Sequence, residues 1–205
     1  MELQRYIETC IVPRYAAFDK AHGIDHARAV INRSLFYAGR YGADARMAYV
    51  IAAYHDLGLC EGRENHHIVS GNILAGDMEL KRWFDEVQIE MMRQAVEDHR
   101  ASAGCEPRTL YGKIVAEADR LIEPETVLRR TVQYGLQHYP RNSREQHYER
   151  FRQHIARKYG EQGYLKLWLP DSGNEVGLAA LRRLLRDEEA LRARFESLYD
   201  EERDC

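Results

Sequence analysis

The sequence predicts an all-α protein, with a helical bundle followed by a charged helical extension. Apolar residues recur at helical spacing in nearly every segment, and the alternating pattern of strands is hard to find. Short turns such as residues 104–107, which contain glycine and proline, separate consecutive segments, as is usual in compact helical bundles.

The composition is that of a folded protein without long flexible linkers. Hydrophobic residues make up 44% and charged residues 31% of the 205 residues. This length suits one hydrophobic core and would cramp two full domains. We therefore expect a single domain over residues 1–205, with its core at about residues 19–139 and a C-terminal helical extension at about residues 140–205.

The charge balance limits the classes of partner. The 30 basic and 33 acidic residues give a net charge of -3, so no overall positive field would hold a nucleic-acid backbone, and no obligate nucleic-acid partner is expected. No apolar stretch approaches the ~20 residues of a membrane span, and the N-terminus carries charges where a signal peptide needs an apolar run. We expect a cytoplasmic protein without a membrane partner.

The cysteines indicate neither a metal knuckle nor a redox motif. They are far apart and form no Cys-x-x-Cys pair. The four positions are Cys10, Cys60, Cys105 and Cys205. Reduced thiols are expected at all four.

Periodicity and helix-ending glycines predict the helices of the bundle. The first helix is expected over residues 3–18, and the second begins near Asp25 and ends around residues 39–42, which contain two glycines. The third is expected over residues 43–55 and ends before Gly58, because helix C-termini prefer glycine. Four further helices are expected at residues 66–75, 84–99, 109–122 and 125–139.

The last third of the chain differs in character. Residues 143–159 and 174–199 are predicted to form two highly charged helices, joined by an aromatic-rich stretch at residues 163–170. We interpret the charged run at residues 182–189 as the solvated face of an amphipathic helix.

Three segments carry residues suited to metal chemistry. His55 and Asp56 are adjacent at the predicted end of the third helix, where they could share one ion only across the helix end, because neighbouring helical residues point about 100° apart. His26 begins an amphipathic helix among small residues. Asp119 lies in an apolar segment near the expected core boundary, where an ionised carboxylate needs a cation or strong hydrogen-bond donors.

Together these segments resemble the HD-domain superfamily of metal-dependent phosphohydrolases. The signature of that superfamily is a histidine, a later His-Asp doublet and a still later aspartate, all on helices of one bundle. The resemblance covers roughly residues 19–139, and residues 113–121 look like the last motif of small, bacterial-type members. It implies that His26, His55, Asp56 and Asp119 bind one divalent metal ion.

The donor types agree with hydrolytic chemistry. Two imidazoles and two carboxylates suit manganese, magnesium, iron, cobalt, nickel or zinc better than calcium. Four protein ligands leave two positions of an octahedral ion open, one for water and one for a phosphate oxygen. We therefore expect hydrolysis of a phosphate ester or anhydride in a small phosphorylated substrate such as a nucleotide.

His66 and His99 are additional candidates. In superfamily members with a wider ligand set, the resemblance implies that histidines in these stretches bind a second metal or contact the substrate. We expect a mononuclear centre with His66 and His99 lining the pocket. A second metal is one alternative, and histidines paired to a carbonyl or carboxylate are the other.

Phosphate binding also requires cations, and arginine binds phosphate oxygens in a bidentate manner. Arg63 and Arg100 adjoin motif residues, and Lys113 lies about two turns before Asp119, so these three are the predicted phosphate-binding residues. Arg120 adjoins Asp119 but points about 100° away from it on a helix. We therefore expect Arg120 to face solvent.

Motifs of known branches of the superfamily are missing. Residues 57–61 stand where the guanosine-tetraphosphate hydrolase branch has a Glu-Asp pair, and Leu59 stands where the nucleoside-monophosphatase branch has a glutamate. The Gly-Tyr-Pro motif of cyclic-dinucleotide phosphodiesterases is also absent. The resemblance thus implies a general phosphohydrolase without naming the substrate.

Two other functions remain compatible with these residues. Some HD-fold enzymes use a related ligand set to activate dioxygen at two irons, and His66 and His99 could complete that set. Alternatively, the domain could bind a metal and a nucleotide without catalysis and signal through its charged C-terminal helices. Metal content distinguishes the oxygenase, and turnover distinguishes the binding module.

Overall fold

The structure is a computed structural model that describes residues 2–19 and 22–203. These residues form ten α-helices, joined by short irregular segments and turns of 3₁₀ and π helix, and they contain no strand. The predicted all-α class is confirmed. Within the described ranges, none of the helices is both long and apolar enough to cross a membrane. The chain divides into two compact units, residues 1–120 and residues 121–205.

The first unit contains six α-helices, and the third of them is buried at the centre. They are α1 (Leu3–Tyr6), α2 (Ile24–Tyr41), α3 (Ala45–Tyr54), α4 (His66–Gly76), α5 (Glu86–Asp98) and α6 (Leu110–Asp119). Helix α2 packs on α3 and α6, and α5 packs on α3, α4 and α6. Every residue of α3 from Val50 to Tyr54 is buried, so the doublet that follows it lies inside the unit.

The N-terminal segment differs from the single helix predicted over residues 3–18. Helix α1 passes into a π-helical turn at Ile7–Ile11 and then into a 3₁₀ helix at Val12–Ala17. Residues three apart align on a 3₁₀ helix, so Val12 and Tyr15 face the interior together while Arg14 is exposed.

The second unit contains the last four α-helices. They are α7 (Pro124–His138), α8 (Arg144–Tyr159), α9 (Asn174–Arg186) and α10 (Glu188–Arg203). Phe151 and Phe195 are fully buried in its core. Helix α7 contributes Leu128 and Val132 to this core, so α7 belongs to the second unit rather than to the unit that carries the His-Asp doublet.

The single helix predicted over residues 174–199 is two helices, so that prediction is wrong. The chain leaves the helical conformation at Asp187, whose φ is -114° and ψ is 91°. The Asp187 side chain accepts a hydrogen bond from the backbone N–H of Ala190 at 3.0 Å, and Glu188 and Glu189 occupy the first turn of α10. A capping aspartate followed by acidic residues favours a new helix start at this point.

Candidate metal centre

Six side chains that the sequence singles out converge from the ends of five helices. They are His26 in the first turn of α2, His55 and Asp56 after α3, His66 at the start of α4, His99 after α5 and Asp119 at the end of α6. Ring nitrogens and carboxylate oxygens of five of them form two groups that could hold a metal ion, and Asp119 joins the first group through its contacts with His26 and His55.

The first group contains His26, His55, Asp56 and Asp119. Nε2 of His26 lies 3.1 Å from Nε2 of His55, 3.5 Å from Oδ2 of Asp56 and 3.3 Å from Oδ1 of Asp119. Nε2 of His55 lies 3.3 Å from Oδ2 of Asp56 and 3.9 Å from Oδ1 of Asp119. Donors that share one ion at ~2.0–2.4 Å lie about 3–4 Å apart. The structure thus brings His26 and His55 close to one carboxylate oxygen of Asp56 and one of Asp119, at histidine-to-carboxylate spacings that suit metal coordination. All four are residues that the resemblance implies as ligands.

The second group contains Asp56, His66 and His99. Oδ1 of Asp56 lies 3.5 Å from Nε2 of His66 and 3.4 Å from Nε2 of His99, and these two nitrogens are 3.3 Å apart. Asp56 therefore belongs to both groups, with one carboxylate oxygen in each. Each of the two groups has donors that could hold a metal ion.

A change of backbone direction allows His55 and Asp56 to meet. His55 keeps the helical conformation, with φ -52° and ψ -39°, whereas Asp56 has φ -110° and ψ 5°. Two residues on a continuing helix would point about 100° apart. Because the chain leaves the helix at Asp56, its carboxylate returns to the Nε2 side of the preceding imidazole.

Hydrogen bonds fix the orientation of three of the histidines. In His55, His66 and His99, Nδ1 lies 2.6–2.8 Å from the backbone carbonyl oxygen three residues earlier. A carbonyl oxygen only accepts, so Nδ1 carries the hydrogen, and a neutral ring presents its Nε2 lone pair. The lone pairs of His66 and His99 face each other and require a proton or a cation between them. This donor set, with its supporting hydrogen bonds, fits a divalent metal ion.

The neighbouring histidines and carboxylates shift each other's pKa values. Burial opposes a charge on His26, but its contacts with Asp119 and Asp56 outweigh burial and raise its pKa to about 9. Burial alone would raise the pKa of Asp56, but the surrounding histidines outweigh burial and hold this pKa well below its ordinary range. Without metal, protons on histidines balance the carboxylates, and metal binding must displace them.

The comparison with protein families concerns the stretch of chain that carries these residues. The family model described as HD domain matches residues 23–123, a stretch that contains all six side chains. The chain therefore contains an HD domain at residues 23–123.

A solved structure agrees with the assignment of the fold. The crystal structure of a predicted HD superfamily hydrolase from an uncultured Thermotogales bacterium matches with a TM-score of 0.51 and 22% sequence identity. The match covers 76% of this chain and 94% of that chain, and at this identity it concerns the fold alone. No curated protein matches the sequence.

Tyr15 is a residue of this site that the sequence analysis missed, and it precedes the HD-domain match. Its hydroxyl lies 3.2 Å from the backbone nitrogen of Asp56 and 3.1 Å from the carbonyl oxygen of Ala53. The side chain is fully buried. The signal available in the sequence was the apolar spacing of Ile7, Ile11 and Tyr15, which fits one buried face of a helix.

The structure places the predicted phosphate-binding arginines at the surface near the HD-domain histidines. Nη2 of Arg63 lies 2.9 Å from Nε2 of His22, and the His22 ring contacts the ring of His26, with centroids 5.8 Å apart. Arg100 donates hydrogen bonds to the carbonyl of Glu64 and, at 2.9 Å, to Oγ of Ser102. Arg63 is thus one histidine away from the first donor group.

The other two cations have different surroundings. Nζ of Lys113 lies 2.5 Å from Oε1 of Glu106, so this ammonium group is paired with a carboxylate. Arg120 is 6% exposed, and burial lowers its pKa, so the expectation that it faces solvent is wrong. Helix α6 ends at Asp119 and Arg120 has φ -85° and ψ 71°, so the direction expected from a continuing helix does not apply.

Proposed function

We propose that this HD-domain protein hydrolyses a phosphate ester or anhydride of a small molecule, with Asp56 shared between two divalent metal ions. One observation carries the proposal: the two carboxylate oxygens of Asp56 face separate pairs of histidine Nε2 atoms. Two sites that share a ligand are a common arrangement in phosphatases and nucleases.

Different side chains of the HD domain would hold the two ions. In this proposal His26, His55 and Asp119 complete the first site, and His66 and His99 complete the second. When bound, the ions would lower the pKa of a water molecule and draw charge from the phosphoryl oxygens.

Exposure supports a direction of substrate approach. The side chains of His55 and His99 are 0% and 2% exposed, whereas those of His26 and Asp119 are 18% and 27% exposed. The centre is therefore closed on the side of the first two residues and accessible on the side of the last two. Arg63, which reaches His26 through His22, has an exposed guanidinium on the accessible side and is the preferred phosphate-binding residue.

The test is a screen of phosphorylated metabolites with metal-stripped protein, to which manganese, magnesium, nickel, cobalt or iron is added separately. We expect metal-dependent phosphate release from at least one compound, and its loss in Asp56→Ala. His147→Ala is the matched control, because His147 is a buried histidine outside both donor groups. Metal binding without phosphate release from any compound would support a binding module. Dioxygen consumption with two bound irons would support the oxygenase.

A further inference from the structure

The end of helix α3 needs hydrogen-bond partners from outside the helix. The last carbonyls of an α-helix have no partner within it. At this end, the Nδ1–H of His55 donates a hydrogen bond to the carbonyl oxygen of Ala52 at 2.8 Å. The carbonyl of Ala53 and the N–H of Asp56 remain close by.

One hydroxyl serves both of these groups. The O–H of Tyr15 donates to the carbonyl of Ala53 at 3.1 Å, and its oxygen accepts from the N–H of Asp56 at 3.2 Å. The phenol therefore connects the last turn of α3 to the residue at which the chain changes direction. Buried groups of this kind are costly to leave without partners.

The Tyr15 ring is itself held in a fixed position. Its centroid lies 6.2 Å from that of His55 with the rings 29° apart, and 5.6 Å from that of Phe18 with the rings 78° apart. The side chain is fully buried, and the 3₁₀ helix Val12–Ala17 directs it inward together with Val12. A hydroxyl on a ring packed in this way has little freedom to follow a displaced peptide.

We propose that Tyr15 is a positioning residue that aims the Asp56 carboxylate at both donor groups simultaneously. The inference rests on the metal centre of the proposed function. Among the described residues, Asp56 is the member common to both groups. A small rotation of its backbone would therefore misplace one carboxylate oxygen in each donor group. The segment that precedes the HD-domain match would then set the metal affinity of the domain.

The test uses Tyr15→Phe in the full chain, which retains the ring and removes only the hydroxyl. Calorimetric titration of metal-stripped protein with manganese should show both ions bound about 10- to 100-fold more weakly than by the wild type, as is typical when a group supporting a ligand is lost.

Tyr6→Phe is the matched control. Tyr6 lies in the same N-terminal segment, and its hydroxyl donates to Oδ2 of Asp77 at 2.5 Å. This variant also loses a hydroxyl hydrogen bond, but it should retain both manganese affinities. A purely structural role for Tyr15 predicts that both variants lose thermal stability and that neither loses metal affinity.

Wild-type manganese affinities in Tyr15→Phe would overturn the inference. If metal-stripped Tyr15→Phe does not fold, the measurement is repeated at saturating manganese, which stabilises the folded state. The electron paramagnetic resonance spectrum of the bound manganese should then differ from that of the wild type, and an identical spectrum would overturn the inference. A wild type that binds two ions but releases no phosphate contradicts only the proposed reaction. A wild type that binds no metal contradicts both.

Discussion

The backbone N–H of Gly58 donates a hydrogen bond to Oγ of Ser70 across 2.8 Å. This bond joins the turn that follows the His-Asp doublet to helix α4. Ser70 lies one helical turn after His66, and Gly58 lies two residues after Asp56, so the bond fixes Asp56 and His66 relative to each other. Gly58 permits this approach because a Cβ atom there would lie 2.1 Å from the carbonyl oxygen of His66.

Gly58→Ala should therefore destabilise the protein and weaken the second metal group. The added methyl group would meet backbone atoms, which cannot move as a flexible side chain can, and overpacking of this kind costs about 1–3 kcal/mol or more. Denaturant unfolding measures the loss. Gly39→Ala is the control: nothing lies within 4 Å of its added Cβ, and alanine within α2 should stabilise by about 0.5–1 kcal/mol. A Gly58→Ala variant as stable as the wild type would contradict this account of the turn.

His99→Ala should remove one metal ion and leave the other. Nε2 of His99 lies in the second donor group, while the first group keeps all its members. Elemental analysis of the manganese-loaded variant should give one equivalent fewer than the wild type. The control is His147, a buried histidine of the second unit, and His147→Ala should keep the full metal content. If His99→Ala also keeps it while turnover falls, the mononuclear centre with a pocket-lining His99 is correct.

The sequence predicted much of this centre because its ligands follow helix positions in a recognisable order. His26, the His55-Asp56 doublet and Asp119 could be identified without coordinates. The arrangement in two donor groups could not be predicted, because it depends on the direction of the second Asp56 oxygen, and that direction follows from a change in backbone angle after α3.

The residues that sequence reasoning missed lie where the backbone departs from a regular α-helix. Tyr15 lies in a 3₁₀ helix, and Arg120 is buried where α6 has ended one residue before it. Asp187 divides the last predicted helix because its side chain caps a new one. For Arg120 and Asp187, a helical period of 3.6 residues was extended beyond the point at which the α-helix ends.

Alkaline pH should remove a stabilising contribution from Tyr6. Burial, together with the hydrogen bond and charge of Asp77, raises the pKa of Tyr6 to about 12 in the folded protein. The unfolded value is about 10, so the unfolded chain loses this proton first. The contribution is therefore fully present below about pH 10 and is lost as the pH rises toward about 12.

The comparison of wild type with Tyr6→Phe isolates this contribution. The difference between their free energies of unfolding should be constant below about pH 10 and should shrink above it. Tyr54 donates to the same Asp77 oxygen, and burial raises its pKa well above the ordinary value, so it should keep its proton in both folded proteins. A difference that stays constant up to about pH 12 would show that folding does not raise the pKa of Tyr6.

Counting the manganese ions bound by each chain of wild type, Asp56→Ala and Asp119→Ala tests the shared role of Asp56 most directly. We expect the wild type to bind two ions with a magnetically coupled resonance signal, because one carboxylate connects them. Asp119→Ala should weaken only the first ion, since Oδ1 of Asp119 lies 3.3 Å from Nε2 of His26 and 3.9 Å from Nε2 of His55, both in the first group. Asp56→Ala should weaken both ions and abolish phosphate release. A wild type that binds a single ion, or an Asp56→Ala variant that keeps one ion at wild-type affinity, would contradict the proposal that Asp56 serves two metals.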